Sequence, residues 1–307
     1  MSNLAIIIPA YKAAFLDKAL ASIAGQTCKD FTLYVGDDAS PHDLYSIVAQ
    51  YENKVDIVYH RFEENIGGKD LVAQWERCIA LSQSEEWLWL FSDDDEMERG
   101  CVEAFYKEIG TGVYYDLYHF NVNRIDENSR ILNTTPAFPA VLPAESFLRK
   151  KLSGKITSYV CEYIFNRKAY YNAGGFQKFD MAWNSDDATW VTLSLAKGIK
   201  TIGNAMVNWR SSGINITSNE SDIHIVARKL QSNVEYSKWV CTLFGGKHVM
   251  QLMRWQIAGI IVYKNVLSPQ ERRFYIKDFF KQLHKSYLYG LGILYYYYKK
   301  YRLNIHS

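Results

Sequence analysis

Three adjacent carboxylates close an apolar run: Trp87-Leu88-Trp89-Leu90-Phe91 leads through Ser92 into Asp93-Asp94-Asp95. Acids packed side by side at the end of a buried segment repel one another and resist desolvation, so the site calls for a positive partner. A divalent cation held through oxygen is the natural choice. Two more clusters follow apolar runs. Pro9-Ala10-Tyr11 comes after Leu4–Ile8 and offers an aromatic face, and Gly36-Asp37-Asp38-Ala39-Ser40 comes after Phe31–Val35. Each cluster alone also suits a surface aromatic, a turn or a helix cap. Together they put an aromatic ring and two sets of acids along one edge of one sheet, where ligands bind in alternating α/β folds.

The elements that must position these residues alternate in the N-terminal third. Leu4–Ile8, Phe31–Val35, Val55–Tyr59 and Trp87–Phe91 read as strands, with helices near 14–25, 41–51 and 68–82 between them. That pattern is the sequence form of a mainly parallel sheet covered by helices. The second helix is expected to take Ser40 as its cap and Pro41 as its first residue. The third follows Asn65-Ile66-Gly67-Gly68, where paired glycines permit a tight backbone turn. Further on, Tyr114–Val122 and Val160–Asn166 read as strands, Ala144–Leu152 and Asp186–Ala196 as helices, and Lys200–Arg210 as short strands. The last ninety or so residues read as helices only, with a capping box at Ser268-Pro269-Gln270-Glu271. The chain is therefore expected to be an α/β protein. Its domain, residues 1–215, divides into parts at about 1–110 and 111–215, and a helical C-terminal extension covers 216–307.

A length of 307 residues with 48% hydrophobic and 22% charged side chains supports a large folded core and excludes a disordered chain. The net charge of +2 is unevenly spread: from Lys264 onward the balance is +7, leaving −5 on residues 1–263. Nucleic-acid binders spread basic residues over the folded domain, so no nucleic-acid partner is expected. The five cysteines lie far apart without ligand spacing and read as reduced thiols. No apolar run reaches signal-peptide or membrane-spanning length, which points to a cytoplasmic location. The basic, tyrosine-rich segment Tyr287–Lys300 suits the headgroup zone at the inner face of a membrane, or else a packed helical cap.

In this order and spacing, Ile6-Ile7-Ile8-Pro9-Ala10-Tyr11, Asp37-Asp38-Ala39-Ser40, Asn65-Ile66-Gly67 and Ser92-Asp93-Asp94-Asp95 resemble the signatures of family 2 glycosyltransferases of GT-A fold. The resemblance covers about residues 1–215 and implies a metal-dependent inverting transferase, using Mn2+ or Mg2+ and a nucleotide-sugar, most often a UDP-sugar. It further implies that Pro9, Tyr11, Asp37, Asp38, Asn65 and Gly67 line the nucleotide site. There Tyr11 would stack on the base, Asp38 would accept a base N–H, and Asp94 would contact the ribose. Asp95, with Asp93, would bind the metal that bridges the diphosphate. The family pattern has an acid where this chain has Ser92, which leaves open which of Asp93, Asp94 and Asp95 touches the metal. Lys69 and Arg77 are candidates for the donor phosphates.

The second half supplies a base. Gly174-Gly175-Phe176 followed by Ser185-Asp186-Asp187-Ala188 looks like the family's Gly-Gly-Phe segment and the acidic pair at a helix start. Inverting transfer needs a carboxylate to take the acceptor's proton; Asp187 matches that position and Asp186 is the alternate. Trp209-Arg210-Ser211-Ser212 lies where related enzymes carry a loop over the donor, but it holds no histidine, and His224 is a weak substitute. The expected activity is sugar transfer to a hydroxyl of a glycan or lipid-linked acceptor in surface polysaccharide synthesis. A nucleotidyltransferase would open with a glycine-rich phosphate loop, which Pro9-Ala10-Tyr11-Lys12-Ala13-Ala14 lacks. A non-catalytic nucleotide-sugar-binding module would have no need to keep Asp95 and Asp187.

Overall fold

The computed structural model describes residues 3–211, 213 and 221–284. It divides into two compact units, one of residues 1–178 with 185–212 and the other of residues 179–184 with 213–307. In the first unit the chain runs β1 (Leu4–Ala10), α1 (Leu16–Ala24), β2 (Thr32–Asp37), α2 (Tyr45–Val48), β3 (Asp56–Arg61), α3 (Leu71–Ile79), β4 (Trp87–Leu90) and β5 (Glu96–Met97). It continues through α4 (Cys101–Ile109), β6 (Leu117–Ile125), β7 (Ile131–Thr134), β8 (Val141–Leu142), α5 (Ala144–Leu152), β9 (Tyr163–Asn166), α6 (Arg167–Asn172), α7 (Ser185–Ser194) and β10 (Ile199–Arg210).

The strands form one mixed sheet in the order β3-β2-β1-β4-β9-β6-β10-β5, with β7 on β6 and β8 on β10. Strands β3, β2, β1 and β4 run parallel, and β9 enters antiparallel between β4 and β6. β1 is an unbroken apolar run because both faces are covered. Leu4, Ile6, Ile8 and Ala10 join a core with Leu16, Leu20 and Ile23 of α1, while α3 packs against β1 as well. Burying one such aliphatic side chain stabilises the fold by roughly 1.5–3 kcal/mol. α3 approaches β2 so closely that a Cβ at Gly36 would lie 2.4 Å from Cys78 Sγ. Among the described residues no two cysteines form a disulfide.

The structure differs from the sequence reading at several elements. The helix expected over 41–51 is only α2 followed by a one-turn 3-10 helix at Ala49–Tyr51. Ser40 does not cap it, because α2 starts only at Tyr45; the Ser40 hydroxyl donates to the Tyr11 carbonyl at 2.7 Å and accepts the His42 N–H at 3.1 Å. Short strands β7 and β8 and helix α6 were not legible, and the strand expected at 160 begins as a 3-10 turn, Val160–Glu162. The short strands expected over 200–210 are one strand, β10, with an irregular register between Ile202 and Met206.

In the second unit the described elements are helical: α8 (Ile223–Leu243), α9 (Val249–Val262) and α10 (Pro269–Gln282). The capping box at Ser268 and Glu271 is formed, with Pro269 at the first turn. No described helix is long and apolar enough to cross a membrane. The tyrosine-rich segment Tyr287–Lys300 lies outside the described residues.

Candidate active site

The turns after β1, β2 and β4 meet because parallel neighbours end together. β1 pairs with β2 through Pro9↔Gly36 and Ala10↔Asp37, and with β4 through Ile7↔Leu90. Asp93 Oδ2 accepts the backbone N–H groups of Tyr11 and Lys12, both at 2.9 Å, so the acid after β4 fixes the loop after β1. The Tyr11 ring stays accessible at 41% exposure.

Asp37 and Asp38 point different ways. Asp37 is fully buried: Oδ1 accepts the Ser40 N–H at 2.7 Å, and Oδ2 takes the Tyr59 hydroxyl at 2.6 Å and Arg61 at 2.7 Å. It braces the turn, with both of its oxygens engaged by this chain's own donors. Asp38 Oδ1 accepts the Ile66 N–H at 2.9 Å and pairs with Arg77, while Oδ2 accepts Asn65 Nδ2 and the Gly67 N–H, each at 2.9 Å. The expected free acceptor for a base N–H is therefore already engaged by four donors. Asn65 and Gly67 serve this carboxylate, and a Cβ on Gly67 would come within 2.6 Å of Asp38 Oδ2. Arg77, whose guanidinium also lies 3.8 Å over the Phe62 ring, is tied to Asp38. Lys69 is exposed on the turn before α3.

Asp94 and Asp95 are buried side by side. Asp95 Oδ1 accepts the Arg210 N–H at 2.8 Å, and Arg210 Nε donates to the Asp94 carbonyl at 2.7 Å. The Asp94 carboxylate itself is left to the charges around it. Its pKa is pushed up to about 8, by burial first and then by Asp95 and Asp93, against Lys12 and Arg210. Asp95 is pushed up to about 6 by burial, while hydrogen bonds from Cys161, Arg210 and Ser92 oppose the rise. Burial also raises Asp93, against the two backbone N–H groups it accepts.

Among the described residues no group of three or more His, Cys, Asp or Glu side chains is arranged to hold a metal ion alone. A hard cation such as Mg2+ needs less than that, because one or two carboxylates suffice when substrate phosphates complete the shell. Two buried acids that resist charging beside each other fit such a cation. Asp94 and Asp95 are such a pair, and Asp93 adds a third acid whose Oδ2 holds the Tyr11 and Lys12 N–H groups.

The acidic pair of the second half opens α7. Asp187, 6% exposed, forms an ion pair with Lys151 through Oδ2 at 2.9 Å, and its buried Oδ1 has no hydrogen-bond partner. Asp186 is pushed up to about 7 by burial and by the charge of Asp187, against Lys151 and the helix-start N–H groups. The 3-10 turn Val160–Glu162 joins the two acidic clusters. Glu162, only 1% exposed, interacts electrostatically with Lys151 and Asp187, and Cys161 beside it with Asp95. Sequence reading gave no role to Lys151 or Glu162, which lay inside an expected helix and an expected strand, and named Arg210 only as part of the segments 200–210 and 209–212. His224 starts α8 in the other unit, its N–H held by Asp222 at 2.8 Å.

Comparison with known proteins bears on the family and the fold. The model for "Glycosyl transferase family 2" matches residues 5–175, more than half of the chain. A Campylobacter jejuni protein, GalNAc(5)-diNAcBac-PP-undecaprenol beta-1,3-glucosyltransferase, is 24% identical over 202 residues, covering 63% of this chain. The chain spans about 60% of that curated relative's length. Among solved structures, S. aureus TarS 1–349 in complex with UDP-GlcNAc superposes with a TM-score of 0.57 at 14% identity, over 90% of this chain and 84% of TarS. TarS 1–349 alone gives 0.57 at 15% identity, over 91% and 88%. The mixed sheet flanked by helices is thus the GT-A fold, and the chain belongs to glycosyl transferase family 2 as a glycosyltransferase.

Proposed function

We propose that this glycosyltransferase moves a sugar, with inversion, from a UDP-linked donor to a hydroxyl of a glycan or lipid-linked acceptor in surface polysaccharide synthesis. The observation that carries the reading is the pairing of two sites across one turn: buried Asp94 and Asp95 on one side, and Asp187 with an unpartnered Oδ1 on the other. A leaving diphosphate needs positive charge, and an attacking hydroxyl needs a base. The TarS complex with UDP-GlcNAc supports a uridine donor, and the relative named for a PP-undecaprenol substrate supports a lipid-linked acceptor.

In this reading Tyr11 offers its ring face to the base. Asp38 accepts the base N–H as Arg77, the donor on the longest side chain, gives way, and Asp94 lies toward the ribose. Asp95, with Asp94 beside it, would hold Mn2+ or Mg2+, which when bound supplies the charge that neutralises the departing diphosphate. Asp187 takes the acceptor proton on Oδ1. The segment Tyr287–Lys300 is proposed to meet an anionic membrane, near a lipid-linked acceptor.

Thermal unfolding with a panel of nucleotide-sugars, with and without Mn2+, tests the donor. UDP-sugars are expected to stabilise the protein in a Mn2+-dependent way. Equal stabilisation by GDP-sugars would reject the uridine assignment, and equal stabilisation without a divalent cation would reject the metal.

A further inference from the structure

We propose that Lys151 is a positioning residue that selects Asp187, among the acids packed around it, as the one that stays charged and aimed at the acceptor. The proposal deepens the reading of Asp187 as general base and rests on it.

Lys151 lies in the last turn of α5, which packs on α7. Its ammonium meets Asp187 Oδ2 at 2.9 Å, with side-chain exposures of 25% and 8%. The titratable groups around this pair are Asp186 from α7, Tyr159 and Glu162 from the segment before β9, Tyr163 from β9 and His119 from β6. Glu162 is buried at 1% exposure, and His119 Nε2 lies 3.3 Å from its Oε1. His119 stacks on Phe138 at 3.8 Å.

One ammonium cannot balance three carboxylates in a buried site, so the acids compete for it. Contact decides the competition, since Asp187 is the acid in ion-pair contact with Lys151. The titration tendencies agree. Burial raises Glu162 well above the usual carboxylate range and Asp186 to about 7. Burial pushes His119 down to about 3, so it brings no second positive charge at neutral pH. Burial alone would lower Lys151, but Asp187, Asp186 and Glu162 outweigh it and raise the ammonium. With Oδ2 fixed on Lys151, Oδ1 is the atom left to take a proton.

The test needs no substrate. In full-length protein labelled with 13C at the aspartate carboxyl carbons, the Asp187 and Asp186 signals are assigned by their loss in Asp187→Asn and Asp186→Asn. In the wild type, Asp186 is expected to take up its proton before Asp187 as pH falls; the reverse order overturns the proposal. Lys151→Met should move the Asp187 midpoint up by about one pH unit or more, and Lys151→Arg should restore it. Lys151→Gln gives the same reading where the apolar variant does not fold. An unmoved midpoint in a folded Lys151→Met or Lys151→Gln protein also overturns it, since packing alone would not hold a titration in place. Failure of the base reading is separate: it would appear as undiminished sugar transfer by Asp187→Asn, whatever the titrations show.

Discussion

The Oδ2 atom of Asp93 lies 2.9 Å from the backbone nitrogen of Tyr11, so an acid of the β4 triplet sets where an aromatic of the β1 loop stands. The same oxygen accepts the Lys12 N–H, which makes it the anchor of the whole turn. Donor base and donor diphosphate are thereby coupled through one side chain in the proposed site.

Asp93 therefore acts here through its shape as an acceptor more than through its charge. Asp93→Asn retains a carbonyl oxygen for both N–H groups and should leave UDP binding within about twofold of wild type. Asp93→Ala strands two backbone donors, a loss of about 1–3 kcal/mol, and should weaken UDP binding by roughly tenfold. Calorimetric titration of both variants decides it, and equal losses would return Asp93 to direct metal binding.

The buried pair Asp94 and Asp95 makes stability depend on pH and cation. Asp94 starts from 3.8 unfolded and is pushed to about 8 folded, so between those values the native state binds the extra proton. Stability from this group is present at low pH and is lost as pH rises toward 8. Asp94→Asn should raise the metal-free Tm at pH 8 and leave it nearly unchanged at pH 4. Mn2+ should stabilise the wild type more at pH 8 than at pH 6. A Tm difference between wild type and variant that does not change with pH would refute this.

Asp38 and Gly67 should fail together. A methyl on Gly67 would sit 2.6 Å from Asp38 Oδ2, a carboxylate held by four donors and unable to swing aside cheaply. Asp38→Ala and Gly67→Ala should each weaken UDP binding by roughly tenfold or more, and the double variant should lose little beyond either alone. Full additivity in binding measurements would show that the two act separately.

The strands β1 to β4 and the clusters at their ends were legible because local patterns carry them: apolar runs, paired glycines and adjacent acids. The capping box at Ser268 was legible for the same reason. What was not legible is set by contacts distant in sequence. Nothing local to Asp37 and Asp38 says that the first faces Tyr59 and Arg61 while the second faces the 65–67 turn. Ser40 read as a helix cap because its neighbours allowed it, yet the helix starts only at Tyr45 and Ser40 instead ties the turn to the Tyr11 carbonyl. Lys151 meets Asp187 only because α5 packs on α7.

The two acids that open α7 should separate cleanly by function. Asp187 has a buried oxygen with no hydrogen-bond partner and a lysine holding the other, an arrangement suited to receiving a proton in a fixed direction. Asp187→Asn keeps size and shape but cannot take a proton, so it should lower kcat by roughly a hundredfold or more with donor affinity preserved. Asp186, pushed up to about 7 by burial and by its neighbour's charge, holds its proton through much of the acid range. Asp186→Asn resembles that protonated form and should reduce kcat by less than about tenfold. Sugar transfer and UDP-sugar binding, measured for both variants across pH 5 to 9, discriminate the roles. If instead Asp186→Asn abolishes transfer and the wild-type acid limb falls near pH 7, then Asp186 is the base and Asp187 its charged neighbour.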